Sequence, residues 1–182
     1  MENAAVTRAY AFGKLRSVVD VGGAHGHLLG SILRSYVKLR GVLFDQPPVI
    51  AEAAKSGFLG ADLSGRYEAV GGDFFESVPS GADAYVMKYI IHDWDDDQSV
   101  RILQNCRKAL AEDGRVLVID HVVAAGNRFD WGKLMDINMM VMLGSKERTK
   151  DEFRQLFARA GLRLKRVVRT ASSLSILEGV AG

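Results

Sequence analysis

The segment SVVDVGGAHGHLLGSILRSYV, residues 17–37, changes its hydrophobic period across a single glycine turn. SVVDV is a short β-branched run. The turn carries Gly22, Gly23 and Gly26, and Leu28, Leu29, Ile32, Leu33 and Tyr36 then share one helical face. A strand that passes through a glycine turn into an amphipathic helix is half of a βαβ unit. Repeated units of this kind build a parallel sheet covered by helices.

The alternation continues along the chain. GVLFD (41–45) reads as a second strand, followed by a helix that Pro47-Pro48 opens and Gly57 ends. YEAVGGD (67–73) reads as a third strand and ADAYVMKYI (82–90) as a fourth. DDDQSVRILQNCRKAL (95–110) is an amphipathic helix through Val100, Leu103, Cys106 and Leu110, and GRVLVIDHVV (114–123) is a fifth strand. TKDE (149–152) is a capping box for a helix that ends at Gly161. LRLKRVVRT and LSILEGVA follow with a short link and are expected to pair antiparallel. The expected fold is therefore α/β: five β-α units in a Rossmann-like, mostly parallel sheet with a C-terminal antiparallel hairpin. Residues 1–16 read as a lead-in segment and 17–182 as the domain.

Composition narrows the function classes. At 182 residues the chain has room for one sizeable core. Its 24 basic and 22 acidic residues give a net charge of +2, too balanced to imply a nucleic-acid or membrane-surface partner. One cysteine, Cys106, excludes an internal disulfide. The first 16 residues lack the apolar core of a signal peptide and no apolar run approaches the length of a membrane span. A cytoplasmic location is the expectation.

In an open α/β sheet, ligands bind beyond the carboxyl ends of the strands. Gly22, Gly23 and Gly26 follow the first strand and let backbone approach a ligand. Asp45 ends the second strand with Gln46 beside it, 19 residues after Gly26, the spacing at which a carboxylate can take a ribose diol. Asp73, at the end of the third, can accept the amino group of an adenine, with Phe74 and Phe75 beside the ring. A dinucleotide fingerprint would need G-x-G-x-x-G, but counted from Gly22 the third and sixth positions are Ala24 and His27. An adenosine without a pyrophosphate suits these residues better.

VVDVGGAHGHLL, GVLFDQPPVI, GDFFESVP, YVMKYIIHDWDDDQSVRIL and GSKERTKDEFRQLFARAGL together resemble the successive motifs of class I S-adenosylmethionine-dependent O-methyltransferases. The nearest group is the plant caffeate and flavonoid enzymes with their bacterial polyketide-tailoring and hydroxyindole relatives. The resemblance implies S-adenosyl-L-methionine as cofactor and a small aromatic hydroxylated acceptor. It implies that His92 is the general base, flanked by carboxylates that map to Asp120 and Glu147, and that Lys88 contacts the cofactor along with Gly22, Asp45, Asp73 and Phe74. Asp120 stands where the family usually has glutamate, one methylene shorter. The methionine-rich stretch 134–144 supplies Asn138, Met139 and Met142 as candidate acceptor contacts. No metal is expected: the acids 95–97 read as a helix start, and His25 and His27 as exposed loop residues. Trp94, Trp131 and His121 read as packing residues. The family homodimerises through an N-terminal helical domain that also closes over the acceptor, and this chain is read as lacking it. Two other readings stay open: a cofactor-binding module without turnover, and a nicotinamide-dependent reductase.

Overall fold

The computed structural model describes residues 1–123 and 148–182. Helix α1 (Glu2–Ala9) precedes β1 (Ser17–Val21), and α2 (His27–Ser35), β2 (Arg40–Asp45), α3 (Pro47–Ser56) and β3 (Tyr67–Gly71) follow. Next come β4 (Ala82–Lys88), α4 (Asp96–Ala109) and β5 (Leu110–Val123). After residue 147 the chain forms β6 (Arg148–Thr149), α5 (Lys150–Arg159), β7 (Leu162–Arg169) and β8 (Leu174–Ala181).

The strands lie in the order β3-β2-β1-β4-β5-β8-β7, with β6 pairing beside β5. β1 to β5 are mutually parallel where they pair, and β8 runs antiparallel to both β5 and β7. The order reverses direction between β1 and β4, so the carboxyl ends of those two strands frame the crevice of a doubly wound sheet.

Side-chain alternation sorts the core into two layers. Val19 and Val21 of β1, Tyr85 and Met87 of β4, and Val116 and Val118 of β5 face α4 and α5, packing on Ile102, Leu103, Cys106, Phe153 and Phe157. Val18, Ala84, Val86, Leu117 and Ile119 face the opposite way, onto Leu29, Ile32 and Leu33 of α2. Strands buried on both faces account for the near-continuous apolar runs in the sequence. Both expected capping boxes form: Asp95 with Gln98 opens α4, and Thr149 with Glu152 opens α5. No helix among the described residues is long and apolar enough to cross a membrane.

Within residues 1–16, Val6, Tyr10 and Phe12 are buried in the same layer as α2. Three expectations need correction. No helix separates β3 from β4. Pro79 and Gly81 interrupt that connection, and its Phe74 and Phe75 pack against the core instead of forming a helical stripe. The third strand stops at Gly71, two residues before Asp73. The fourth stops at Lys88: Tyr89 turns the chain at φ +58 and Ile91–Asp93 form one 3-10 turn, so His92 does not follow the strand directly. Tyr89 N–H still donates to Ile119 O (3.1 Å), which keeps the turn docked on β5.

Candidate functional site

The glycine turn lies at the carboxyl end of β1, where Gly22 N–H (2.8 Å) and Gly23 N–H (3.3 Å) both donate to Phe44 O of β2. Gly22 sits at φ +67, and a Cβ built there would lie 2.4 Å from Ile90 Cδ1 and 3.7 Å from Phe74. A Cβ on Gly23 would lie 2.8 Å from the Asp20 carboxyl. Neither position has room for a Cβ, so glycine lets the turn pack directly on its neighbours. Gly26 caps α2 at φ +76.

Asp45 ends β2 as expected. Its Oδ2 accepts the Ala24 N–H (2.9 Å) and its Oδ1 the Gln46 N–H (2.7 Å), which ties the glycine turn to the end of β2. Asp73 accepts the Phe75 N–H at 2.8 Å and borders a cavity of about 480 Å³ shared with Phe75, Gln98 and Arg101. Phe74 and Phe75 pack edge-on against Trp94, with centroids 6.0 and 4.7 Å from it. The structure thus brings Gly22, Gly23, Asp45, Gln46, Asp73, Phe74 and Phe75 to one end of the sheet. Lys88 reaches the same end, but its ammonium is held by Asn3 Oδ1 (2.7 Å) and Glu2 Oε2 (3.1 Å) of α1.

His92 projects from the 3-10 turn, its side chain only 12% exposed. Nδ1 faces Asp120 Oδ1 at 3.1 Å and Nε2 lies 3.3 Å from Asp93 Oδ1. Asp120 is fully buried in β5, directly beside the ring. The shorter aspartate reaches His92 because it stands directly beside the turn. Burial pushes the Asp93 carboxyl up, with His92 working against that rise and Asp120 adding to it. Tyr89 stacks on the His92 ring, centroids 5.3 Å apart, and also packs on His121, centroids 5.8 Å apart. Cys106 is buried under α4, where desolvation pushes its thiol up to about 12. It carries no chemistry here. Glu147, Asn138, Met139, Met142 and Trp131 lie outside the described residues.

Three functional features escaped sequence reasoning. Asp20 is 1% exposed, and burial pushes its carboxyl up to about 7. The Leu29 N–H and the Lys88 charge oppose that rise, and Asp45 adds to it. An acid inside a strand covered on both faces was the signal available in SVVDV. Glu2 and Asn3 were hidden because α1 was read as a lead-in. Arg148 was visible only as one letter of a motif, yet it is among the largest fully buried side chains of the protein.

Comparison with known proteins places this geometry in a family. The profile of the O-methyltransferase domain matches residues 1–163. The phenazine O-methyltransferase PhzM of Lysobacter antibioticus is 47% identical over 174 residues, covering 96% of this chain and 51% of that protein. The calicheamicin-biosynthesis methyltransferase CalO1, solved in its S-adenosylhomocysteine-bound form, superposes with a TM-score of 0.92 at 44% identity over all of this chain and 53% of the other. The neocarzinostatin-biosynthesis O-methyltransferase NcsB1, solved with S-adenosyl-L-homocysteine and 1,4-dihydroxy-2-naphthoic acid, superposes with a TM-score of 0.85 at 38% identity, over 97% of this chain and 52% of that one. The chain spans about half the length of the relatives it matches. By sequence and by fold alike, the chain belongs to the O-methyltransferase domain family.

Proposed function

We propose that this domain transfers a methyl group from S-adenosyl-L-methionine to a hydroxyl of a small aromatic acceptor, with His92 as general base. The observation that carries the reading is the buried couple of His92 and Asp120, 3.1 Å apart, beside the glycine turn. The relatives support it, since CalO1 was solved with the cofactor product and NcsB1 with a dihydroxynaphthoic acid as well.

The residues present fit the cofactor. Each Asp45 oxygen accepts one backbone N–H and keeps a second acceptor direction for a diol hydroxyl. Glycine at 22 and 23 lets the turn pack directly on Ile90, Leu43 and Asp20 and so sets its backbone at the carboxyl end of β1. When bound, S-adenosyl-L-methionine supplies a methyl group already activated on a sulfonium, so the protein has to align and deprotonate. Asp45, Asp73 and the turn bind and orient; such alignment contributes about 7–11 kcal/mol in well-placed systems.

The proton moves at Nε2 of His92. A proton on Nδ1 facing Asp120 leaves the lone pair at Nε2, and proton uptake there makes an imidazolium between Asp120 and Asp93. A phenol near 10 facing an imidazole near 6.5 is a gap of about 3.5 units, or about 4.8 kcal/mol for full transfer. The same reading puts the domain in the cytoplasm, as part of a homodimer made through the family's helical domain.

The test is thermal unfolding with S-adenosylhomocysteine or NADH, followed by methylation of a phenol panel. S-adenosylhomocysteine is expected to raise Tm while NADH does not. The reverse would end this reading in favour of a reductase, and binding without turnover would favour a cofactor-binding module.

A further inference from the structure

Arg148 is 1% exposed, and its guanidinium joins the turn that carries His92 to the start of α4. Nη1 donates to Ile91 O (2.8 Å) and Nη2 to Trp94 O (2.8 Å), the carbonyls on either side of His92 and Asp93. Nε (3.1 Å) and Nη2 (2.9 Å) both reach Asp96 Oδ1, which balances the buried charge. Ser99 Oγ lies 3.3 Å from each of the same two carbonyls and its one hydroxyl hydrogen can be donated to either, a further hold on the turn.

The backbone of Arg148 is fixed independently. β6 pairs parallel with β5 through Val122–Arg148 and Val123–Thr149, two and three residues beyond Asp120. One strand therefore carries the carboxylate that faces His92 and also, through β6, the guanidinium that grips the His92 turn. The spacing between His92 and Asp120 is set by a closed circuit: β5 to β6, Arg148 to the 91 and 94 carbonyls, and the turn back to Asp120.

The geometry points to Arg148 as a positioning residue for the His92–Asp120 couple, fixing the base against its carboxylate rather than touching substrate. This rests on the reading of His92 as base only for its catalytic consequence; the placement of the ring is a separate observable. A planar fork is needed because two divergent carbonyls and a carboxylate must be met at once, which a lysine ammonium cannot do.

Among the described residues, the groups facing the His92 ring include Asp120 from β5, Asp93 from its own turn, and the Tyr89 ring with the Lys88 ammonium 5.0 Å from that ring. Arg148→Lys leaves every one of these charges in place and removes only the fork. The experiment follows the histidine ring resonances of the whole chain by NMR across pH, in wild type, Arg148→Lys and Asp120→Asn. Arg148→Lys is expected to lower the His92 titration midpoint, in the same direction as Asp120→Asn, while the exposed His25 and His27 stay where they are. Where Arg148→Lys does not fold, the neutral Ser99→Ala variant is expected to shift His92 the same way by less. A His92 midpoint equal to that of wild type in the folded variant, with only Tm lowered, would overturn the proposal.

Turnover gives the second readout: kcat is expected to fall about tenfold or more with cofactor affinity unchanged, the pattern of a lost alignment rather than lost binding. Should His92→Ala keep full turnover, the base reading fails while the titration result still decides the role of Arg148.

Discussion

His92 and Asp20 are two ionisable side chains held largely out of water. Among the described residues, fully buried Asp120 faces the Nδ1 side of the His92 ring and half-exposed Asp93 the Nε2 side. Asp120→Asn keeps the shape and removes the charge. It is expected to lower kcat by about tenfold or more, with little change in cofactor affinity, checked by steady-state kinetics beside calorimetric titration of S-adenosylhomocysteine. Asp20 makes a prediction about stability. Its carboxyl is raised from 3.8 to about 7 in the folded chain. Between those values the folded state holds a proton that the unfolded chain has lost, so stability falls as pH rises from about 4 and levels off above about 7. In Asp20→Asn the Leu29 N–H keeps an acceptor and the titration disappears. The variant is expected to melt higher relative to wild type at pH 8 than at pH 5, and an equal difference at both would remove the raised acid from the account.

Helix starts and strand runs were the elements most legible in the sequence, because each is set by neighbours a few residues away. Asp95 with Gln98 and Thr149 with Glu152 cap as the spacing says. Thr149→Ala is expected to cost about 1 kcal/mol. In a domain of this size that is a drop of about 2–4 °C in Tm, read by calorimetry. What the sequence hid depends on contacts made at long range. Tyr89 looks like strand, yet it leaves the strand at φ +58 because its N–H is held by Ile119 and its hydroxyl by Glu2 (2.8 Å). Glu2 itself is weakly helical in a short segment, and only its contacts with Lys88 and Tyr89 give it a part in the site. Burial works to raise the Glu2 carboxyl, but the Tyr89 hydroxyl and Lys88 outweigh it and hold it low. Asp45 and the glycine turn were legible because strand ends in a parallel sheet converge by topology. Arg148 was not, because nothing in its local pattern says which carbonyls it will reach.

At the scale of the molecule, the doubly wound sheet fixes where the glycine turn, the ends of β2 and β4 and the His92 turn meet. S-adenosylhomocysteine at about 100 times its dissociation constant is expected to stabilise the domain by about 2.7 kcal/mol, a ligand-dependent rise in Tm that tests the cofactor half alone. The central claim joins that half to His92. It is tested most directly by following the appearance of methylated phenol from S-adenosylmethionine by mass spectrometry, with wild type and His92→Ala under the same conditions. The account predicts product from the wild type and a rate lower by about 10²–10⁴-fold in His92→Ala. Equal, measurable rates from the two proteins would contradict it.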